Sequence, residues 1–342
     1  MQRKVIPDIL KGVAVILMIQ VHVMELFMLP EIYESIFGKI SLFLGGIPAA
    51  PVFMSIMGYF AASSSKGMPG QVLRGVKLIL LGLLLNIGLN LHLLISIWAG
   101  DLQVDPFAYI FGADILFLAG LSLIFISIVQ YFLGRNLWLY IFLTFLIPLS
   151  SDLFSPWTDL NGLSEYLMAF LFSQASWSYF PFFPWAAWVL AGYSFAIYEK
   201  KYGLSARIEK YTAWFVFMLM IPLALTFPWA ANIITDLSLY YHHGLLFFLW
   251  GLGFLIFWMG LFRLIHIMIR TNYIMKYFGW LGRNVTLAYV IQWLIIGNIA
   301  TALYKTQPAW VFWVSLVLVL LATTILITLL ALPVRSLKNK LR

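Results

Sequence analysis

Long apolar runs separated by short charged stretches dominate this chain, and the lengths of the runs set the first expectation. They cover residues 9 to 29, 42 to 63, 76 to 98, 107 to 130, 136 to 151, 179 to 198, 211 to 231, 243 to 265, 280 to 303 and 309 to 332. Most are close to the roughly 20 residues that a helix needs to cross a bilayer, and longer than the about 10 of a barrel strand. The pattern predicts an all-α polytopic bundle of about ten transmembrane helices, forming a single integral membrane domain over residues 1–342. The apolar stretch at residues 163 to 175 is too short to cross and reads as an interfacial or re-entrant segment on the outer face.

The first run breaks the apolar rule in a regular way. Asp8, Lys11, His22 and Glu25 follow alternating steps of three and four residues, which align side chains on one helical stripe. A charge deep in a bilayer costs a few kcal/mol or more unless it faces the bundle interior, a water-filled cavity or a partner. The stripe is therefore expected to line a polar site. At 1.5 Å per residue His22 stands about 21 Å above Asp8, in the outer half of the membrane. The bland alternative is a histidine hydrogen-bonded to a neighbouring helix.

Composition agrees with the pattern. Of 342 residues 63% are hydrophobic and 10% charged, against about 25% charged in soluble domains. The basic start Met1-Gln2-Arg3-Lys4 before an apolar run suggests a signal peptide, but no small-residue cleavage pattern ends it, so it reads as a retained first helix. With the N-terminus inside, seventeen Lys and Arg fall in inner segments and only Lys39 and Lys305 in outer ones. This bias predicts that both termini are cytoplasmic in a multi-pass protein of the cell membrane. It also accounts for the net charge of +8 without a nucleic-acid partner. Cysteine is absent, which excludes disulfides, thiolate metal sites and thioester-forming nucleophiles.

Other polar residues lie within the runs. Asn86, Asn90 and His92 fall toward the outer end of the third, Asp114 about two turns into the fourth, and Gln292 well inside the ninth. A neutral imidazole beside a carboxylate is the usual general-base arrangement, and Asp114 or Glu25 is placed to supply the carboxylate for His22. Asn86, Asn90 and Gln292 are typical interhelical hydrogen-bonding residues, with ligand contact as the alternative. Lys11, Arg74, Lys77 and Arg283, at the inner surface, make an anion-receiving patch suited to phosphates, although topology alone also puts cations there. Leu133-Gly134-Arg135-Asn136 is echoed by Leu281-Gly282-Arg283-Asn284; both read as helix starts in which Asn caps, with a duplicated ligand contact at Asn284 as the alternative. The adjacent pair His242-His243 lacks the further ligands of a metal site, and no metal is expected.

These same residues resemble the membrane acyltransferases related to the catalytic domain of heparan-α-glucosaminide N-acetyltransferase, within the broader acyltransferase-3 group. The likeness runs through Ile6-Pro7-Asp8-Ile9-Leu10-Lys11-Gly12 with His22, Ala50-Pro51-Val52-Phe53 with Gly58, and Leu73-Arg74-Gly75. It continues through Asp114-Ile115-Leu116 with Gly120, Phe183-Pro184-Trp185 with Gly192-Tyr193, and Leu281-Gly282-Arg283-Asn284 with Tyr289. Lys11 stands where the family usually has Arg, and Gln292 where many relatives have His. One branch carries its active histidine in the loop after the first helix; residues 30 to 41 here contain none, which leaves His22 as the candidate.

The resemblance implies transfer of an acyl group, acetyl in the leading case, from cytoplasmic acyl-CoA to a hydroxyl or amino group of a glycan or lipid-linked sugar. His22 is then the base or transient acyl carrier, oriented by Asp114 or Glu25, and Asp8, Lys11, Arg74, Lys77, Asn86, Asn90, Arg283, Asn284 and Gln292 are the substrate-side candidates. Membrane lipids, the acyl-CoA donor and the sugar acceptor are the expected partners, with a homodimer left open. The rival reading is a proton-coupled transporter or flippase using the same stripe. A membrane scaffold comes third.

Overall fold

The computed structural model describes residues 5–154, 162–172, 175–203, 205–269 and 272–340, with side chains described outside 152–154, 205–210 and 332–340. The chain folds into helices α1 (Val5–Phe27), α2 (Pro30–Tyr33), α3 (Ile36–Gly45), α4 (Ala50–Ala62), α5 (Met68–Leu89) and α6 (Leu91–Ala99). There follow α7 (Pro106–Ile110), α8 (Ile115–Leu133), α9 (Leu137–Phe154), α10 (Leu163–Ala169), α11 (Phe182–Tyr202) and α12 (Ser205–Thr235). The last are α13 (Leu237–Tyr241), α14 (Leu245–Ile269), α15 (Tyr273–Arg283), α16 (Val285–Leu303) and α17 (Ala309–Lys340). The fold is all-α, a polytopic membrane bundle, and the described residues form no strand.

Among the described residues, eight segments are long and apolar enough to cross a membrane: Val5–Phe27, Ile36–Ala62, Met68–Leu89, Ile115–Leu133, Tyr211–Thr235, Leu245–Ile269, Val285–Leu303 and Ala309–Ala331. The other two expected runs are also helical. α9 contains a shorter apolar stretch, Leu137–Ser151, and α11 ends in Lys200 and Lys201. Four runs are broken where sequence suggested continuity, the ninth run at Asn284 between α15 and α16. The second is interrupted by turns at residues 46–49, which include Pro48, whose ring nitrogen has no hydrogen to donate. The third breaks at Asn90 between α5 and α6. The fourth becomes α7, a short loop and α8. α10, at seven residues, is too short to cross, as expected for the interfacial segment.

Contacts divide the chain into two compact units. The first comprises Met1–Ala49, Gly88–Leu102 and His266–Arg342, the second Ala50–Ile87 and Gln103–Ile265.

In the first unit α1 is the hub, packing on α3, α15, α16 and α17. Its approach to α15 depends on two glycines. A Cβ added to Gly12 would lie 1.9 Å from the Phe278 carbonyl oxygen, and one added to Gly282 would lie 1.8 Å from that of Asp8. Each helix therefore meets the backbone of the other where a side chain is missing, the small-residue contact that membrane helices use. Gln20 fastens α1 to α3: its Nε2 donates to the Ser41 carbonyl at 2.9 Å and its Oε1 accepts from the Ser41 hydroxyl at 2.6 Å. At the far end of α1 the chain between α16 and α17 folds back on it. Leu29 N donates to Gln307 O at 3.0 Å and Gln307 N to Phe27 O at 2.8 Å.

The second unit repeats the device with other helices. Gly58 of α4 and Gly192 of α11 meet the backbone at Val189 and Ser55, with an added Cβ at 1.9 and 1.7 Å from those carbonyl oxygens. α11 also packs on α8 and α9, and its Trp185, Trp188 and Tyr193 are completely buried. Trp188 Nε1 donates to His243 Nε2 at 3.3 Å, and the other ring nitrogen of His243 donates to Tyr240 O at 2.8 Å. The imidazole is thus held neutral, with neither nitrogen open to a metal. Burial pushes His243 down to about 4, and the carbonyl of Tyr240 only partly opposes it; burial lowers His242 in the same way.

A proton taken up on unfolding makes stability depend on pH. The unfolded imidazole titrates near 6.5, so the stabilisation is complete above that value and declines as pH falls toward 4, by about 3 kcal/mol for His243 over the whole window. Melting midpoints of purified protein between pH 7.5 and pH 4.5, about three units apart, should fall more steeply for wild type than for His243→Gln. Equal slopes would remove His243 from the account.

Candidate active site in the first unit

α1 carries the polar stripe as a single unbroken helix, so the spacing read from sequence becomes a geometry. Near its start Asp8 is buried, 3% exposed, and pairs with Lys11 Nζ at 3.0 Å. Toward its end His22 Nδ1 lies 3.3 Å from Glu25 Oε2, one turn on. A carboxylate at Nδ1 favours the tautomer with the proton on that nitrogen, which leaves the lone pair on Nε2. Nε2 is buried and has no hydrogen-bond partner among the described residues. The other contact is with α16: the Trp293 indole lies over the imidazole, ring centres 4.0 Å apart and planes inclined by 38°. An aromatic face restrains the ring and favours a positive charge on it. His22 thus has one nitrogen held, one face covered and one nitrogen open.

At the Asp8 end of α1, a cavity of about 190 Å³ opens between α1 and α15. Asp8, His266, Lys276 and Arg283 line it together with Val5, Ile9, Met275 and Gly279. The Nδ1 of His266 is buried without a partner among the described residues. Two cations and an imidazole donor around a small hollow suit a phosphate oxygen. Among the described residues no three His, Cys, Asp or Glu side chains are grouped to hold a metal.

The other sequence candidates have different surroundings. Asp114 is not two turns inside a helix: it is the N-cap of α8, where its Oδ1 accepts from Leu116 N at 2.9 Å and Phe117 N at 3.2 Å. A carboxylate ahead of a helix answers the exposed amides of the first turn, and the helix accordingly starts after it. Asp114 belongs to the second unit, and the carboxylate beside His22 is Glu25. Asn86 is buried and donates to Ile110 O at 3.1 Å and Gly112 O at 2.9 Å, which ties α5 to the loop before α8. Asn90 stands at the break before α6, and its side chain makes no cap bond. Arg74 and Lys77 are exposed on α5.

Asn284 does not cap α16; its Nδ2 donates back to Trp280 O at 2.9 Å, whereas Asn136 accepts from Trp138 N at 3.0 Å as a cap should. Gln292 is fully buried on α16. Neither Trp293 nor His266 was among the residues that the sequence pointed to. The available signal was position: Trp293 lies within a span, beside Gln292, and not at its edge.

Residues 3–226 match the family described as "Heparan-alpha-glucosaminide N-acetyltransferase, catalytic". The matched stretch contains α1 with its stripe; α15 and α16, which bring Arg283, Gln292 and Trp293, lie beyond it. No curated protein and no solved structure matches the chain.

Proposed function

Because the chain belongs to the heparan-α-glucosaminide N-acetyltransferase catalytic family, a group of membrane acetyltransferases, we propose that it transfers acetyl from acetyl-CoA to a hydroxyl or amino group of a glycan or lipid-linked sugar. The observation that carries the reading is His22, its Nδ1 held by Glu25 and its Nε2 open inside a membrane-length helix. The donor enters from the cytoplasmic side. Its phosphates meet Lys276, Arg283 and His266, and its pantetheine arm extends along α1 for the about 21 Å that separate Asp8 from His22.

His22 then acts as general base. As the acceptor oxygen or nitrogen attacks the thioester carbon, Nε2 takes the acceptor's proton; when the carbon–sulfur bond breaks, that proton passes to the departing sulfur. Glu25 balances the imidazolium formed between the two transfers. A covalent acetyl-histidine is the alternative route through the same nitrogen.

Purified protein incubated with radiolabelled acetyl-CoA and envelope glycans tests the proposal directly. Label should pass to sugar. Label that stays on protein when the acceptor is withheld would select the covalent route. A protein that moves a sugar across vesicles and leaves acetyl-CoA intact would be a transporter.

The donor mouth gives a separate expectation. Arg283→Gln should raise KM for acetyl-CoA about tenfold and leave kcat nearly unchanged, because a remote phosphate contact is made equally in ground and transition states. Lys11 is a poorer probe, since its loss also removes an ion-pair partner from buried Asp8. Unchanged KM for Arg283→Gln would place the phosphates elsewhere.

A further inference from the structure

Besides His22 and His266, three side chains of the first unit have buried polar atoms without partners among the described residues, and two of them are consecutive on α16. Gln292 is 0% exposed, and neither its Nε2 nor its Oε1 has a hydrogen-bond partner among the described residues. It sits on the buried stripe of Ala288, Ile296 and Ala300. Trp293 Nε1 is in the same condition, as is Thr323 Oγ1 on α17, which packs against α16. Gln20 offers a contrast within the same unit, since both ends of its amide are engaged. A buried amide with no bond made is unfavourable, and native folds retain such groups where a bound molecule completes them or where chemistry uses them.

The orphaned atoms are of the type that acyl transfer lacks at this site. His22 supplies a base, but attack on a thioester moves the carbonyl π pair onto oxygen, and an oxyanion in an apolar interior needs N–H or O–H donors fixed in advance. Gln292 Nε2 and Trp293 Nε1 are such donors, and the Trp293 ring is in contact with the His22 ring.

We infer that Gln292 and Trp293 hold the acyl oxygen during transfer at His22, an inference that rests on the acetyl-transfer reading above. The new acceptor–carbon bond forms as the acceptor loses its proton to His22 Nε2. The two N–H groups receive the oxyanion, and its electron pair returns as the carbon–sulfur bond breaks and the sulfur leaves with the proton from His22. No further reactant is required.

Gln292→Met tests this, because methionine keeps the length and apolar fit of the side chain and removes the amide. Loss of an oxyanion donor should lower kcat on the order of 100-fold, with KM for donor and acceptor nearly unchanged. The melting midpoint should rise by a few degrees, since an unpaired buried amide has been replaced by an apolar group. A purely structural glutamine, or one bonded to buried water, predicts the reverse: a lower midpoint with kcat kept. Trp293→Phe keeps an aromatic ring over His22 but lacks the N–H, and should lower kcat about tenfold. An active wild type with an equally active Gln292→Met would overturn this inference and leave the acetyl-transfer reading intact. A wild type that transfers nothing would overturn both.

Discussion

His22→Ala should lower kcat for acetyl transfer by at least about 100-fold, the usual contribution of a positioned general base. Acetyl-CoA binding should persist, because the proposed phosphate contacts, Lys276, Arg283 and His266, line a cavity at the other end of α1. The informative companion is Glu25→Gln. It retains the length of the side chain and a hydrogen-bonding oxygen but removes the charge 3.3 Å from His22 Nδ1, so it should lower kcat, by less than His22→Ala does. Steady-state kinetics with equilibrium binding of acetyl-CoA separate the two steps. A fully active His22→Ala enzyme would end the catalytic assignment.

The second large effect is structural. Gly282→Val should abolish recovery of folded protein. Its Cβ would fall 1.8 Å from the carbonyl oxygen of Asp8, a backbone atom that no rotamer change can move aside. Overpacking usually costs about 1–3 kcal/mol, and a backbone clash at the contact between α1 and α15 belongs at or beyond the upper end. The same substitution would push Asp8 and Arg283 apart from the cavity they line, so any protein recovered should bind acetyl-CoA weakly. Size-exclusion profiles in detergent measure the first and equilibrium binding the second. By contrast, Gly134→Ala meets nothing within 4 Å, although its φ of +70° adds backbone strain, and it should still yield folded protein. Normal yield from Gly282→Val would mean that α1 and α15 do not meet as closely as described.

The neighbourhood of His22 illustrates how one stripe can be legible and its surroundings not. The 3,4 spacing on α1 fixed which four polar residues share a face, because helical periodicity is a property of the chain itself. It also gave the Glu25 contact, one turn away, and the Asp8–Lys11 pair by the same rule. Trp293 and Lys276 are more than 250 residues further on, and no local period relates them to α1. Where sequence did mislead, a local competitor won. Asp114 lies in an apolar run, yet it stands as the N-cap where α8 begins and not inside a continuous helix, since its side-chain oxygen accepts from Leu116 and Phe117 and answers the free amides of the first turn.

By itself, then, the sequence determined the all-α membrane character, the apolar runs, the stripe of α1 and the family, because hydropathy, helical period and motif order are written along the chain. Only the tertiary structure decided which stripe residues stay open and which are engaged. It set Trp293 against His22, gathered His266, Lys276 and Arg283 around one cavity, and left the Gln292 amide without a partner among the described residues, while Asn86 and Asn284 were committed to backbone carbonyls. The physical reason is that hydrogen bonds and packing are satisfied between helices distant in sequence, so whether a buried polar atom has a partner is a property of the assembled fold.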